Sequence, residues 1–184
     1  MGRNADYSTI IEDAYQRGYD YLEKWRACAP TVFAAVMDAI GYKDSRMAEE
    51  VWKATVGLTG GTGNMAIGTC GALAGAAAAI GLSFGFTKDD IEKDVVKMLK
   101  LNASVAEVGE MMMKKYGGIH CQDVQFHHWG KAYRFTNPNA LLEFIGMSPG
   151  KPATPECQQV TADLAKWAVE KIIERNPDFI VLDQ

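Results

Sequence analysis

The residues best suited to chemistry are four cysteines, Cys28, Cys70, Cys121 and Cys157, separated by 42, 51 and 36 residues. A thiolate is both a nucleophile and a soft metal ligand, so four of them suit three tasks: holding an iron–sulfur cluster, cycling between dithiol and disulfide, or binding a structural zinc. There is no C-x-x-C, so neither a thioredoxin-type site nor a zinc ribbon is indicated, and no C-x-x-C-H to attach a c-type haem. On spacing alone, cysteines this dispersed read as buried small hydrophobes. The three histidines, His120, His127 and His128, all lie near Cys121. They are weaker candidate ligands, for mixed Cys/His ligation or a separate metal or haem. Met111, Met112 and Met113 are consecutive and so point three ways on a helix, which suits core plus surface better than a cofactor box. Gly60, Gly61 and Gly63 are not followed by Lys-Ser/Thr, and no Walker A or Rossmann fingerprint is present.

The elements that must position these residues are helical almost throughout. Ser8 is placed to cap a first helix carrying Ile10, Ile11, Ala14, Gly18, Tyr21 and Leu22 at helical spacing. Pro30 belongs to a first turn, so a second helix starts near residues 27–29 and stops at Gly41. A third spans 45–58, with Met47, Val51 and Val56 expected inward. After the glycine-rich stretch 57–68, Thr69 is expected to cap an Ala/Gly helix over 70–82. Thr87 with Asp90, and Ser104 with Glu107, read as capping boxes for helices reaching about Leu101 and Tyr116, the second stopped by Gly117-Gly118. Asn137-Pro138 opens a short helix to Gly146. Thr154-Pro155 opens the last long one, with Val160, Leu164, Trp167, Ala168 and Ile172 on one stripe. The aromatic segment 122–152 reads as a long irregular connection with one short helix, either functional or a satellite core. The expectation is an all-α chain, one helical domain over 1–184, of six to eight helices around the Ala/Gly helix.

All four cysteines then fall at or beside helix N-termini. There the free N–H groups and the helix dipole favour an anion, which would lower a thiol pKa. Four of four suggests a shared task.

Composition narrows the partners. The chain has 184 residues, 48% hydrophobic and 23% charged, an ordinary globular balance with a core large enough to need no disulfide staples. With 19 basic and 23 acidic residues the net charge is −4, and no basic run offers phosphate contacts, so nucleic acid is not an expected partner. No charge occurs between Lys53 and Lys88, but the glycines at 60–63 interrupt that stretch, and residues 70–82 are too few for a membrane span of about 20. Gly71-x-x-x-Gly75 instead allows close approach of another backbone. No secretory signal is read at the start, so the cytoplasm, where thiols stay reduced, is the expected location.

These residues resemble the redox-active proteins named for their C-GCAxxG-C-C cysteine pattern, a group related to the split-Soret cytochromes c. The likeness runs from about Ile11 to Ile173. Cys28 precedes an apolar helix. Gly68-Thr69-Cys70-Gly71-Ala72-Leu73-Ala74-Gly75 matches the glycine-rich centre, Cys121 follows a helix and a glycine turn, and Cys157 opens the terminal helix. One departure is that Cys70 precedes its glycine, a one-residue shift worth about 100° on a helix. The haem motif of the cytochrome branch is missing. The resemblance implies redox function and a [2Fe–2S] or [4Fe–4S] cluster held by Cys28, Cys70, Cys121 and Cys157, for electron transfer with an unknown redox partner, in a homodimer. A thiol/disulfide oxidoreductase is the alternative. A helical interaction module with a structural zinc or inert cysteines comes third.

Overall fold

The computed structural model describes residues 7–147 and 154–181. The end of the aromatic segment, 148–152, and the first six residues lie outside the described residues. Among those described, the chain is all α: nine α-helices, no strand, and a single isolated bridge between Thr69 and His120. The helices are α1 (Ser8–Trp25), α2 (Cys28–Ala39), α3 (Arg46–Thr55), α4 (Gly71–Phe84), α5 (Lys88–Lys93), α6 (Val95–Tyr116), α7 (Cys121–Trp129), α8 (Pro138–Gly146) and α9 (Pro155–Arg175). No described helix is long and apolar enough to cross a membrane.

The core lies where α1, α2, α4, α6 and α9 meet, and α4 runs through it. Ala72, Ala76, Ala79 and Ile80 on α4 are fully buried, as are Val32, Phe33 and Val36 on α2 and Leu164, Ala165, Ala168 and Ile172 on α9. Small residues set how closely the helices approach. A Cβ on Gly75 would lie 2.2 Å from the Ala29 carbonyl oxygen, so α4 presses directly on the first turn of α2. A Cβ on Gly18 would lie 2.7 Å from the Thr161 carbonyl oxygen, and the Thr161 hydroxyl donates to the Gly18 carbonyl at 2.7 Å, joining α1 to α9. The Gly71-x-x-x-Gly75 spacing thus serves a helix contact inside the protein.

Several local expectations are corrected. Thr87 and Asp90 do form a capping box, but their helix is only α5; the Asp94 side chain accepts from Lys97 N–H and opens α6 ten residues before the expected cap at Ser104. Ser104 is therefore interior and fully buried, its hydroxyl donating to the Lys100 carbonyl, and is no cap. Two helices over this stretch agree with the expected number, and α7 alone brings the described helices to nine. Met47 and Val56 are exposed, because α3 turns Ala48 and Thr55 inward, with Val51 and Trp52 packed beside the core. Thr69 does not cap α4. It pairs with His120, and Cys70 itself is the N-cap residue. The first part of the aromatic segment is the regular helix α7, whereas 130–137 is irregular and α8 is the short helix expected.

Candidate functional site

Each cysteine sits in the first turn of a helix or at its cap. Cys28 is the first residue of α2, Cys70 caps α4, Cys121 is the first residue of α7, and Cys157 is the third of α9, where its N–H donates to the Thr154 Oγ1 of the N-cap. The one-residue shift of Cys70 against its glycine therefore acts at a cap with extended backbone (φ −53°, ψ 131°), where a helical rotation of the side chain does not apply.

The glycine-rich stretch brings the four together. It folds back through a run of left-handed residues that includes Gly60, Gly61, Thr62, Gly63, Asn64 and Ala66. Its end is tied to the start of α7 by three backbone bonds: Cys70 N–H to Ile119 O (2.8 Å), Cys121 N–H to Gly68 O (3.1 Å) and Gln122 N–H to Ala66 O (2.8 Å). Cys70 and Cys121 thus enter side by side although 51 residues separate them. Two glycines make room for the cysteines. A Cβ on Gly71 would stand 2.3 Å from Cys28 Sγ, and one on Gly61, whose φ is +74°, would stand 2.9 Å from Cys121 Cβ. Backbone N–H groups of Gly60, Cys28, Ala29 and Gly71 surround the Cys28 sulfur. The Gln125 amide donates to Cys121 Sγ at 3.4 Å, while its carbonyl accepts from Tyr133 N–H.

All four cysteines line one cavity of about 350 Å³. Cys70 and Cys121 are buried, at 5% and 9% exposure, whereas Cys28 and Cys157 are half-buried. Every pair among the four is close enough for one thiolate to disfavour ionisation of the other. No three His, Cys, Asp or Glu side chains among the described residues stand in metal-ligating geometry, so the thiols share the cavity without closing on a common point.

The electrostatics reverse the expectation from the helix ends. Burial pushes all four thiols up. Cys157 rises to about 12, Cys121 rises further, Cys70 goes well above its ordinary value, and Cys28 is raised despite its ring of N–H donors. Desolvation of a thiolate and repulsion from its neighbours outweigh the dipoles here. A cation in the cavity would invert that balance, since a coordinating thiol is deprotonated outright.

The histidines do not join the cysteines. None of His120, His127 and His128 lines the cavity. His120 is exposed, and the Asp123 carboxylate meets both its backbone N–H (3.1 Å) and its ring Nδ1 (2.9 Å). His127 and His128 pack on each other and on Tyr116, and burial lowers the His128 pKa. Tyr116 is buried and donates to Asp163, which also pairs with Lys115; burial and this bond raise its pKa. Met112 is buried, Met113 exposed and Met111 between, as their spacing on a helix demands.

Sequence reasoning missed the remaining walls of the cavity, above all Arg26, Thr59, Gln125, Phe135 and Phe144. Only the aromatic density of 122–152 signalled any of them.

No curated protein and no solved structure matches the chain. The family model described as "Putative redox-active protein (C_GCAxxG_C_C)" matches residues 26–171, a span that contains all four cysteines, and the chain belongs to that family.

Proposed function

We propose that the protein is an electron-transfer protein whose cavity holds an iron–sulfur cluster on Cys28, Cys70, Cys121 and Cys157. The observation that carries this reading is the meeting of four cysteines, from four helix N-termini, on one cavity with no carboxylate among its described lining residues. The donor set fits the group: four cysteine thiolates are the usual ligands of such clusters. The cradle also fits, because Gly71 and Gly61 leave free the space that a Cβ would take from the cysteines. When bound, the cluster would supply one-electron chemistry and the positive charge that four buried thiols need to ionise. The chain's own part is to bring the thiols together, aim N–H groups at sulfur and keep bulk water away, three levers on a cluster potential.

The alternative is a thiol/disulfide oxidoreductase. Cys28 and Cys157 favour it, being the two less buried cysteines and close enough to repel as thiolates. Joining them as a disulfide would release two protons and two electrons to an acceptor. Their raised pKa values weigh against it, because the thiolate is the attacking species.

Homodimer formation is part of the same proposal. Gly71 and Gly75 of α4 are taken up by contacts with α2, and one face available to a second copy is the exposed apolar set Ile91, Val95, Val96 and Leu99 on α5 and the start of α6. One air-free preparation tests these points together. Iron, acid-labile sulfide and a visible absorption band are expected, in a particle sedimenting as two chains. Colourless protein with four titratable thiols would favour the alternative, and a one-chain mass would remove the dimer.

A further inference from the structure

We propose that the cavity beside the cysteines binds a small organic acid, a carboxylate with an aliphatic or aryl body, with Arg26 as its counter-ion. The proposal names a substrate class for the redox site and rests on that reading for what becomes of the ligand, while the binding itself follows from the cavity.

The volume is the first argument. A closed four-cysteine site wraps its metal without spare space. The cavity, with the space for a cluster included, is about 350 Å³, at the lower end of the roughly 300–1,000 Å³ of small-molecule pockets. The lining is the second. Phe135, together with Leu141, Phe144 and Ile145 of α8, supplies an apolar wall. α8 buries none of its own residues. It is held by Phe144 packing on Trp129, Tyr133 and Phe135 and by the Lys131–Glu143 ion pair at 2.6 Å, so it covers the cavity without being locked into the core.

Charge is the third argument. Among the described lining residues Arg26 is the only charged side chain, and no acidic partner stands in ion-pair distance of it among the described residues. The four helix N-termini that carry the cysteines all end at this cavity, and each brings partial positive charge to it. The cavity is therefore electropositive with an apolar wall, the complement of a carboxylate on a hydrocarbon body. Arg26 also holds a left-handed conformation, φ 57°, where glycine or asparagine fits better, two residues before Cys28. A backbone outlier beside a site is the kind of strain that function retains. Finally, Thr59 lines the same cavity, and its Oγ1 is buried with no hydrogen-bond partner, a free group for a ligand oxygen.

A plainer role for Arg26 is to complement the C-terminal dipole of α1. Calorimetric titration of the air-free protein with phenylacetate, hexanoate and the uncharged phenethyl alcohol separates the two roles. At least one of the two acids should saturate a single site per chain, with the alcohol at least tenfold weaker. Arg26→Asn, which suits the left-handed backbone and so preserves the fold, should weaken the acid at least tenfold. Ile145→Glu, at an exposed position on α8, should weaken it too. No saturable binding of either acid up to roughly 10 mM, an alcohol that binds as well as the acids, or unchanged affinity in Arg26→Asn would each overturn the proposal. Iron and sulfide are measured on the same sample. A cluster without acid binding removes the organic-acid site alone, and Arg26-dependent binding without a cluster removes the cluster reading alone.

Discussion

At the scale of single residues, the environment of each cysteine decides what it can do. The helix N-termini offer N–H groups, but burial and the neighbouring thiols raise all four pKa values, so the free thiols are neutral at physiological pH. A neutral thiol is a poor nucleophile and becomes a ligand only when a metal displaces its proton. Under the proposed function, the position of the Cys28 sulfur depends on a missing methyl group. Gly71→Ala puts a Cβ where that sulfur lies, 2.3 Å away. Iron and sulfide content should fall in this variant about as far as in Cys28→Ser, while the far-UV circular dichroism stays helical. A full complement of both in Gly71→Ala would show that Cys28 is not held there as a ligand.

At the scale of elements, α4 is made almost wholly of small residues because it lies between other backbones. The two ends of its glycine pattern behave differently. Gly75 meets the Ala29 carbonyl, a backbone atom that can yield only if α2 moves, whereas Gly81 has nothing within 4 Å of its would-be Cβ. Gly75→Ala should therefore destabilise the protein by about 1–3 kcal/mol through overpacking. Gly81→Ala should stabilise it by about 0.5–1 kcal/mol, because alanine loses less backbone entropy in a helix interior. Denaturant titration of the two variants beside the parent gives both signs. The short span of α5 has an equally local cause: the Asp94 side chain takes the N–H of Lys97 and restarts the chain as α6.

At the scale of the whole molecule, α6 and α9 are joined at their surface by Glu107 with Lys171 and Arg175, the Arg175 contact being 2.7 Å. The hydrogen bond from Lys171, and then the charges of both cations, lower the Glu107 pKa. A carboxylate with a lowered folded-state pKa adds stability above its unfolded value of about 4.3, and that stability is lost as pH falls through the folded value. Glu107→Gln should cost less than about 1 kcal/mol at neutral pH, since the group is partly exposed and screened. Its unfolding curve should converge with the parent's as pH drops below about 4. A deficit that persisted there would assign the loss to packing rather than charge.

The sequence by itself determined the all-α class, the cap and stop residues Thr87, Gly117, Asn137 and Thr154, and the placing of four cysteines at helix starts. These follow from periodicity and from the chemistry of free N–H and C=O groups within a few residues of each other. The boundary inside 87–116 was not legible in the same way, because Ser104-x-x-Glu107 has the form of a capping box and only the packing of α6 against α4 and α9 makes Ser104 interior. Nor was the direction of the thiol pKa shifts, since sequence shows the helix end near each cysteine but not the other three sulfurs or the burial around it. The cavity belongs wholly to the tertiary structure. Arg26, Thr59, Phe135 and α8 reach it from distant parts of the chain, and no local pattern marks a residue whose neighbours are supplied by the fold.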